Sequence, residues 1–242
     1  MNKGLVIAFC IGLPAAALLT HFVTAEPAQP QPEAKPITVE QRKDVVRFDN
    51  GVTVFLEGDE RIEVEAQVLG GQTRLLEFLV VGAGGPVHEA LFVAGARARD
   101  LHQGLELLGL RCGQKKLRFR GDDQTPDGPA VDIAVQWKDK DGKAESCPVE
   151  DWLYDTIDDA KVARGPWTFT GSLSEFRDDL GREIYAADTR DSIVGLWRDP
   201  SCVIDNPREH GAIPDVYIPN PEAGLLPPPQ TVVTLVFRAH KG

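Results

Sequence analysis

The sequence predicts a β-rich α+β fold, a single domain of mostly antiparallel strands with one clear helix and one short helix. Three observations carry this. Short apolar–polar alternations recur from residue 45 to residue 237, the period-two pattern of half-buried strands. Glycine, asparagine and aspartate punctuate them where tight turns are needed. Helical periodicity is confined to two windows, so the repeated strand–helix alternation of a doubly wound parallel sheet is absent.

Taken in order, VVRF at 45–48 and VTVFLEG at 52–58 flank Asp49-Asn50-Gly51, and Asn-Gly tolerates the positive φ that a tight hairpin requires. Strands are predicted next at 61–68 (RIEVEAQV), 75–81 (LLEFLVV), 89–94 (EALFVA) and 116–120 (KLRFR). The later ones are 131–137 (VDIAVQW), 167–171 (WTFTG), 183–188 (EIYAAD), 192–197 (SIVGLW) and 231–237 (TVVTLVF). The clear helix lies near 97–108, where Leu101, Leu105 and Leu108 share one face and Gly109 supplies a left-handed stop. The short one, 148–155, opens on Pro148, whose missing N–H costs nothing at a helix start, and carries Trp152 and Leu153. Asp141-Gly142 reads as a hairpin turn, and Pro227, Pro228 and Pro229 cannot enter a ladder.

The first residues have one cation, Lys3, then an apolar run from Gly4 to about Leu19, then Val23-Thr24-Ala25. That is the layout of a secretory signal peptide, 1–25, cut after Ala25. Residues 26–36, EPAQPQPEAKP, form a proline-rich spacer with nothing to bury, and the domain occupies 37–242. The expected location is outside the cytoplasm, in the periplasm or extracellular, with no stable transmembrane segment after cleavage.

The formal net charge is −11 over 242 residues, and cleavage makes it more negative by removing Lys3. Nucleic acid is thereby excluded as a partner, since phosphates demand concentrated lysine and arginine. Three cysteines remain after cleavage, Cys112, Cys147 and Cys202. All three pairings are open. A predicted hairpin between Cys112 and Cys147 favours that pair, whose bridge would contribute about 3–4 kcal/mol.

His88-Glu89 is the most distinctive short element, but position 92 is Phe, so the His-Glu-x-x-His zinc motif is not met. A composite site of His88, Glu89 and His102 would supply two imidazoles and a carboxylate to a divalent metal. Against it, neighbours on an alternating strand point to opposite faces. Asp139-Lys140-Asp141-Gly142 starts like a calcium loop and lacks the later ligands. The acids Glu150, Asp151, Asp155, Asp158 and Asp159 could collect a divalent ion, and read first as a solvated face. Ser172 is not framed as a nucleophile, and no catalytic residue is assigned.

Several segments together resemble the YdjY domain family of exported bacterial proteins. They are LLEFLVV with a glycine turn and VHEALFV (75–93), LHQGLELLGL (101–110), VDIAVQWKDKDGK (131–143) and EDWLYD (150–155). WTFTGS (167–172), EIYAAD with the apolar strand after it (183–197) and PPPQTVVTLVF (227–237) complete the set. The resemblance implies the fold and an exported location, places His88 and Glu89 at the family's His-Glu pair, and implies no particular reaction. A ferredoxin-like label attached to some members would need a cysteine pattern that this chain lacks.

The expected function is therefore a non-enzymatic binding or accessory module of the cell envelope, meeting an envelope protein or ligand through a surface around His88, Glu89 and Trp167. No cofactor is expected. The alternatives are a metal-dependent enzyme using His88, Glu89 and His102, and a structural envelope component.

Overall fold

The computed structural model describes residues 39–41, 44–70, 74–222 and 225–242; the expected signal peptide and spacer lie outside them. In chain order the strands are β1 (Val39–Gln41), β2 (Val45–Phe48), β3 (Val52–Phe55), β4 (Arg61–Val68), β5 (Phe78–Gly82), β6 (Ala90–Ala94), β7 (Ala130–Lys138), β8 (Ala144–Pro148) and β9 (Leu153–Asp155). They continue as β10 (Ala160–Lys161), β11 (Trp167–Phe169), β12 (Ser174–Arg177), β13 (Arg182–Tyr185), β14 (Ser192–Gly195), β15 (Ile204–Asp205), β16 (Tyr217–Pro219) and β17 (Val232–Ala239). The helices are α1 (Ala98–Leu107) and α2 (Ala186–Arg190).

Eight strands close on themselves in the order β4-β17-β7-β11-β15-β14-β5-β6, with β6 returning to β4. The β-rich reading stands, but the sequence did not foretell a closed barrel. Two of its seams, β5–β6 and β14–β15, are parallel and the others antiparallel. An eight-stranded barrel is just wide enough for side chains to fill it. Register shows the filling: Ile62, Val64 and Ala66 stand opposite Phe237, Leu235 and Val233, and Ile133 and Val135 oppose Phe237 and Leu235. All eight are buried.

The strand directions give the barrel two distinct ends. At one lie the starts of β4, β7, β14 and β15 and the finishes of β5, β6, β11 and β17. Helix α1 sits at this end, with Leu101 and Leu105 buried. Its Gly104 lies so close to the β3–β4 hairpin that a Cβ would stand 3.0 Å from Ile62 Cδ1 and 3.1 Å from Val54 Cγ2. The expected glycine stop is present: Gly109 has φ +83°, its N–H donates to Glu106 O, and Leu110 N–H donates to Leu105 O. At the other end a 3-10 turn, Val149–Trp152, drives Trp152 inward. Its indole stacks on Phe92 at 5.7 Å and meets Trp137 edge-on at 5.0 Å.

Four expectations are corrected. The predicted short helix at 148–155 is the end of β8, the 3-10 turn and then β9, because Leu153–Asp155 finds β16 and β10 to pair with. The short helix is α2 instead, where a strand was predicted at 183–188; β13 stops at Tyr185. KLRFR is a turn rather than a strand, since Asp122 accepts both the backbone N–H and the guanidinium of Arg118 and folds the segment on itself. The Cys112–Cys147 bridge is not formed and all three cysteines are free. The hairpin expected between them is β7–β8, which carries Cys147 opposite Val135. Cys112 precedes it and packs against Gly171, beside His102 at the helix end.

Trp152 is fully buried, so Trp152→Ala should lower unfolding free energy by about 3–5 kcal/mol, measured by denaturant titration. A loss under about 1 kcal/mol would mean that the indole does not close this end.

Candidate functional site

Parallel neighbours ordinarily need a crossover of about a dozen residues or more, yet β5 and β6 are joined by residues 83–89 alone. Glycine makes this possible. Gly82 and Gly85 lie against Asp191, where an added Cβ would come within 2.7 Å of Asp191 atoms, and Gly84 N–H donates to Asp191 Oδ2 at 2.8 Å. After Pro86 the chain makes a 3-10 turn, Val87–Glu89, and enters β6. Arg74 fixes this turn by donating to the carbonyls of Val87 and His88.

The turn presents the His-Glu pair. The His88 side chain is 76% exposed, and its Nε2 lies 3.3 Å from Glu89 Oε1. Because the pair stands on a turn and not a regular strand, the two side chains reach the same side. Glu89 O also accepts the Glu77 N–H at 2.9 Å, which brings the Glu77 and Glu89 carboxyls together. Glu77 is in turn held by the Arg120 guanidinium. Arg120 lies over the Trp197 ring at 4.5 Å, and its Nε stands 3.4 Å from Asp199 Oδ2. Asp199 Oδ1 accepts from Ser201 Oγ at 2.6 Å. A polar chain thus runs from exposed imidazole to buried aspartate.

Burial raises the Glu77 pKa above the ordinary glutamate value, the Glu89 carboxyl beside it adds to the rise, and Arg120 opposes it. Two carboxyls thus stand together beside an exposed imidazole.

Trp167 and His102 lie elsewhere. Trp167 is 1% exposed; its Nε1 donates to Glu150 Oε1 at 2.7 Å and the Arg208 guanidinium covers its ring at 4.7 Å. It is a core residue and contributes to no surface. His102 lies on α1, beyond the far end of β6 from Glu89, and the five strand residues between the ends span about 16 Å. Its Nδ1 bonds to Tyr185 Oη at 2.8 Å, its ring meets Phe169 edge-on, and burial lowers its pKa. The structure brings His88 and Glu89 together and leaves His102 at the other end of the barrel.

Among the described residues, Asp155, Asp158 and His210 offer ligand atoms within 4.8 Å of one another. His210 Nδ1 is 2.9 Å from Asp155 Oδ2 and 3.9 Å from Asp158 Oδ2, and the hydrogen bond to Asp155 raises the His210 pKa. These three residues could hold a divalent cation. The acidic run was visible in the sequence, but His210 lies more than fifty residues away and carried no signal linking it there. Glu77 as a neighbour of Glu89, and Arg120 as the partner of Glu77, were missed as well, because no local pattern shows which strand ends meet.

Glu77 should titrate above the ordinary glutamate value, read by carbon-13 carboxyl shifts. Glu89→Gln should lower that midpoint without restoring it, because burial, the larger cause, remains; Arg120→Met should raise it further. The folded chain holds this proton more tightly than the unfolded chain, so Glu77 favours folding most at acid pH, and that contribution fades as pH rises through the unfolded and then the folded midpoint. A Glu77 midpoint unmoved by Glu89→Gln would show that the carboxyls are not coupled.

The YdjY domain model matches residues 57–238, a stretch that includes both helices, the His-Glu turn and the whole barrel except the last residue of β17. Neither a curated protein nor a solved structure matches the chain. The chain belongs to the YdjY domain family.

Proposed function

We propose that this protein is an exported binding or accessory module of the cell envelope, without enzymatic activity of its own, whose contact surface centres on His88 and Glu89. The observation that carries this is the way the pair is presented. An exposed imidazole touches a carboxylate on a turn that is held rigid by backbone contacts and backed by the Glu77–Arg120 pair. Rigid presentation lowers the ordering cost of binding. Conserving shape through Arg74 also means that the two side chains contribute little to folding. The N-terminal signal-like segment and the spacer support export.

A metal-dependent reading has a separate footing in Asp155, Asp158 and His210. It does not pass through His102.

The double variant His88→Ala/Glu89→Ala should keep its fold, since exposed substitutions shift stability by about 0.5 kcal/mol each. A photo-crosslinking residue placed at Val87 should capture an envelope component in cells, and the double alanine variant should abolish that capture. A control crosslinker at exposed Arg182, on β13, should capture nothing in common with it. If the double variant fails to fold, the pair is structural and this reading falls.

A further inference from the structure

The barrel end that carries His88 also opens into a cleft of about 1170 Å³, above the roughly 300–1,000 Å³ of ordinary ligand pockets. One wall is the end of β4, Val68 and Leu69; another is Trp137 with Cys147; the third is the segment from Leu225 to Thr231. That last wall is fixed. Gln230 N–H donates to Val68 O at 2.8 Å, Val68 N–H donates to Thr231 O at 3.1 Å, and Pro229 packs directly on the α-carbon of Gly70. Prolines have no N–H, so this wall is short of backbone donors and presents ring carbons, beside Leu225 and Leu226. The lining exposes far more apolar than polar surface.

The charges at the rim are not equivalent. Asp139 Oδ1 already accepts the N–H groups of Asp141 and Lys143, each at 2.9 Å. Glu145 is paired with Lys143, and Asp151 holds Arg164 through two bonds at 2.8 and 2.7 Å. Lys138 and Lys140 also line the cleft and are exposed, and among the described residues neither side chain has a hydrogen bond or ion pair. Glu145 and Asp151 are neutralised by cations and Asp139 keeps its charge, so the two free ammonium groups outnumber the one uncompensated carboxylate and the net charge at the rim is positive although the chain as a whole is acidic.

We propose that this cleft binds a single-chain anionic amphiphile of the long-chain carboxylate class, its tail lying along Trp137, Leu225 and Leu226 and its head between Lys138 and Lys140. The site shares no residue with the His88–Glu89 surface, so either can fail without the other. Burying an alkyl tail against this lining supplies affinity that grows with chain length, and a head paired with two lysines adds the discrimination between charged and neutral ligands.

The test is titration of the full chain with dodecanoate, dodecyl phosphate and dodecanol, each below its aggregation limit, followed by calorimetry and by indole fluorescence. One equivalent of dodecanoate should bind saturably, at least about tenfold more tightly than dodecanol, the scale of one charge-assisted contact. Lys138→Ala/Lys140→Ala, at exposed positions that leave the fold intact, should bring dodecanoate down to the dodecanol level. Leu226→Asp should weaken both ligands. Equal binding of dodecyl phosphate and dodecanoate would support recognition of charge, whichever acid supplies it. Non-saturable uptake, equal affinity for dodecanoate and dodecanol, or an unchanged affinity in the double lysine variant would each overturn the proposal.

Discussion

The pairing of Ala66–Val68 with Phe92–Ala94 is the contact on which the rest of this structure depends. Strand β4 gives one edge wholly to β17 and divides the other, its first half bonding to β3 and its second half to β6. That division closes the barrel and sends β1, β2 and β3 off as a flap that α1 can cover. Closure removes the unpaired edges that an open sheet would leave to aggregation. It also encloses a volume that side chains of ordinary size fill, with α1 over one end and Trp152 set into the other.

Closure with two parallel seams brings a topological demand. Both β5–β6 and β14–β15 are joined by connections too short to hold a covering helix, so backbone polar groups in those connections would lie buried without ladder partners. In the second connection the demand is met by side chains. Asn206 Nδ2 donates to Leu196 O, Ser172 Oγ to Ser201 O, and Thr170 Oγ1 to Cys202 O and Val203 O, while Arg198, 3% exposed, reaches out of the connection to six backbone carbonyls on either side of it, those of Asp122, Asp123, Gln124, Asn206, Pro207 and Arg208. Asp205 accepts from Asp199 N–H and from Thr170 Oγ1, and burial raises its pKa well above the ordinary aspartate value. In the first connection glycines do the corresponding work by close approach to Asp191, and the turn that remains is free to project His88. The same constraint thus yields a buried polar scaffold at one seam and a solvent-facing pair at the other. Arg120 links them, since it touches Glu77 of one and Asp199 of the other.

The two surfaces proposed for binding differ in physical character. The His88 surface is small and polar, an imidazole beside a carboxylate, which suits recognition of a donor or cation on a partner. The cleft is large and mainly apolar, with its charged groups, Lys138 and Lys140 among them, at the rim. Both lie at the end away from α1, where the strands start or finish without a helix over them. Loops positioned by a rigid barrel are where ligand contacts concentrate.

Much of this molecule was legible in the sequence. The period-two alternations located most of the barrel strands, and the leucine spacing and Gly109 located α1 and its stop. These are local properties, set by which side chains of one segment can be buried together and which backbone angles a residue tolerates. Where local signals were ambiguous the tertiary structure decided. KLRFR alternates like a strand, but it joins no ladder, and Asp122 offers its backbone a nearer partner. Residues 148–155 begin like a helix, but β16 and β10 give Leu153–Asp155 a ladder. Strand order, the parallel seams and closure could not be read locally, because pairing is chosen among segments far apart in the chain by the total surface buried. The sites follow the same division. His88 and Glu89 were visible as a motif, whereas Trp167 became core, His102 went to the opposite end, and Glu77, Arg120 and His210 acquired their partners only when distant strands met.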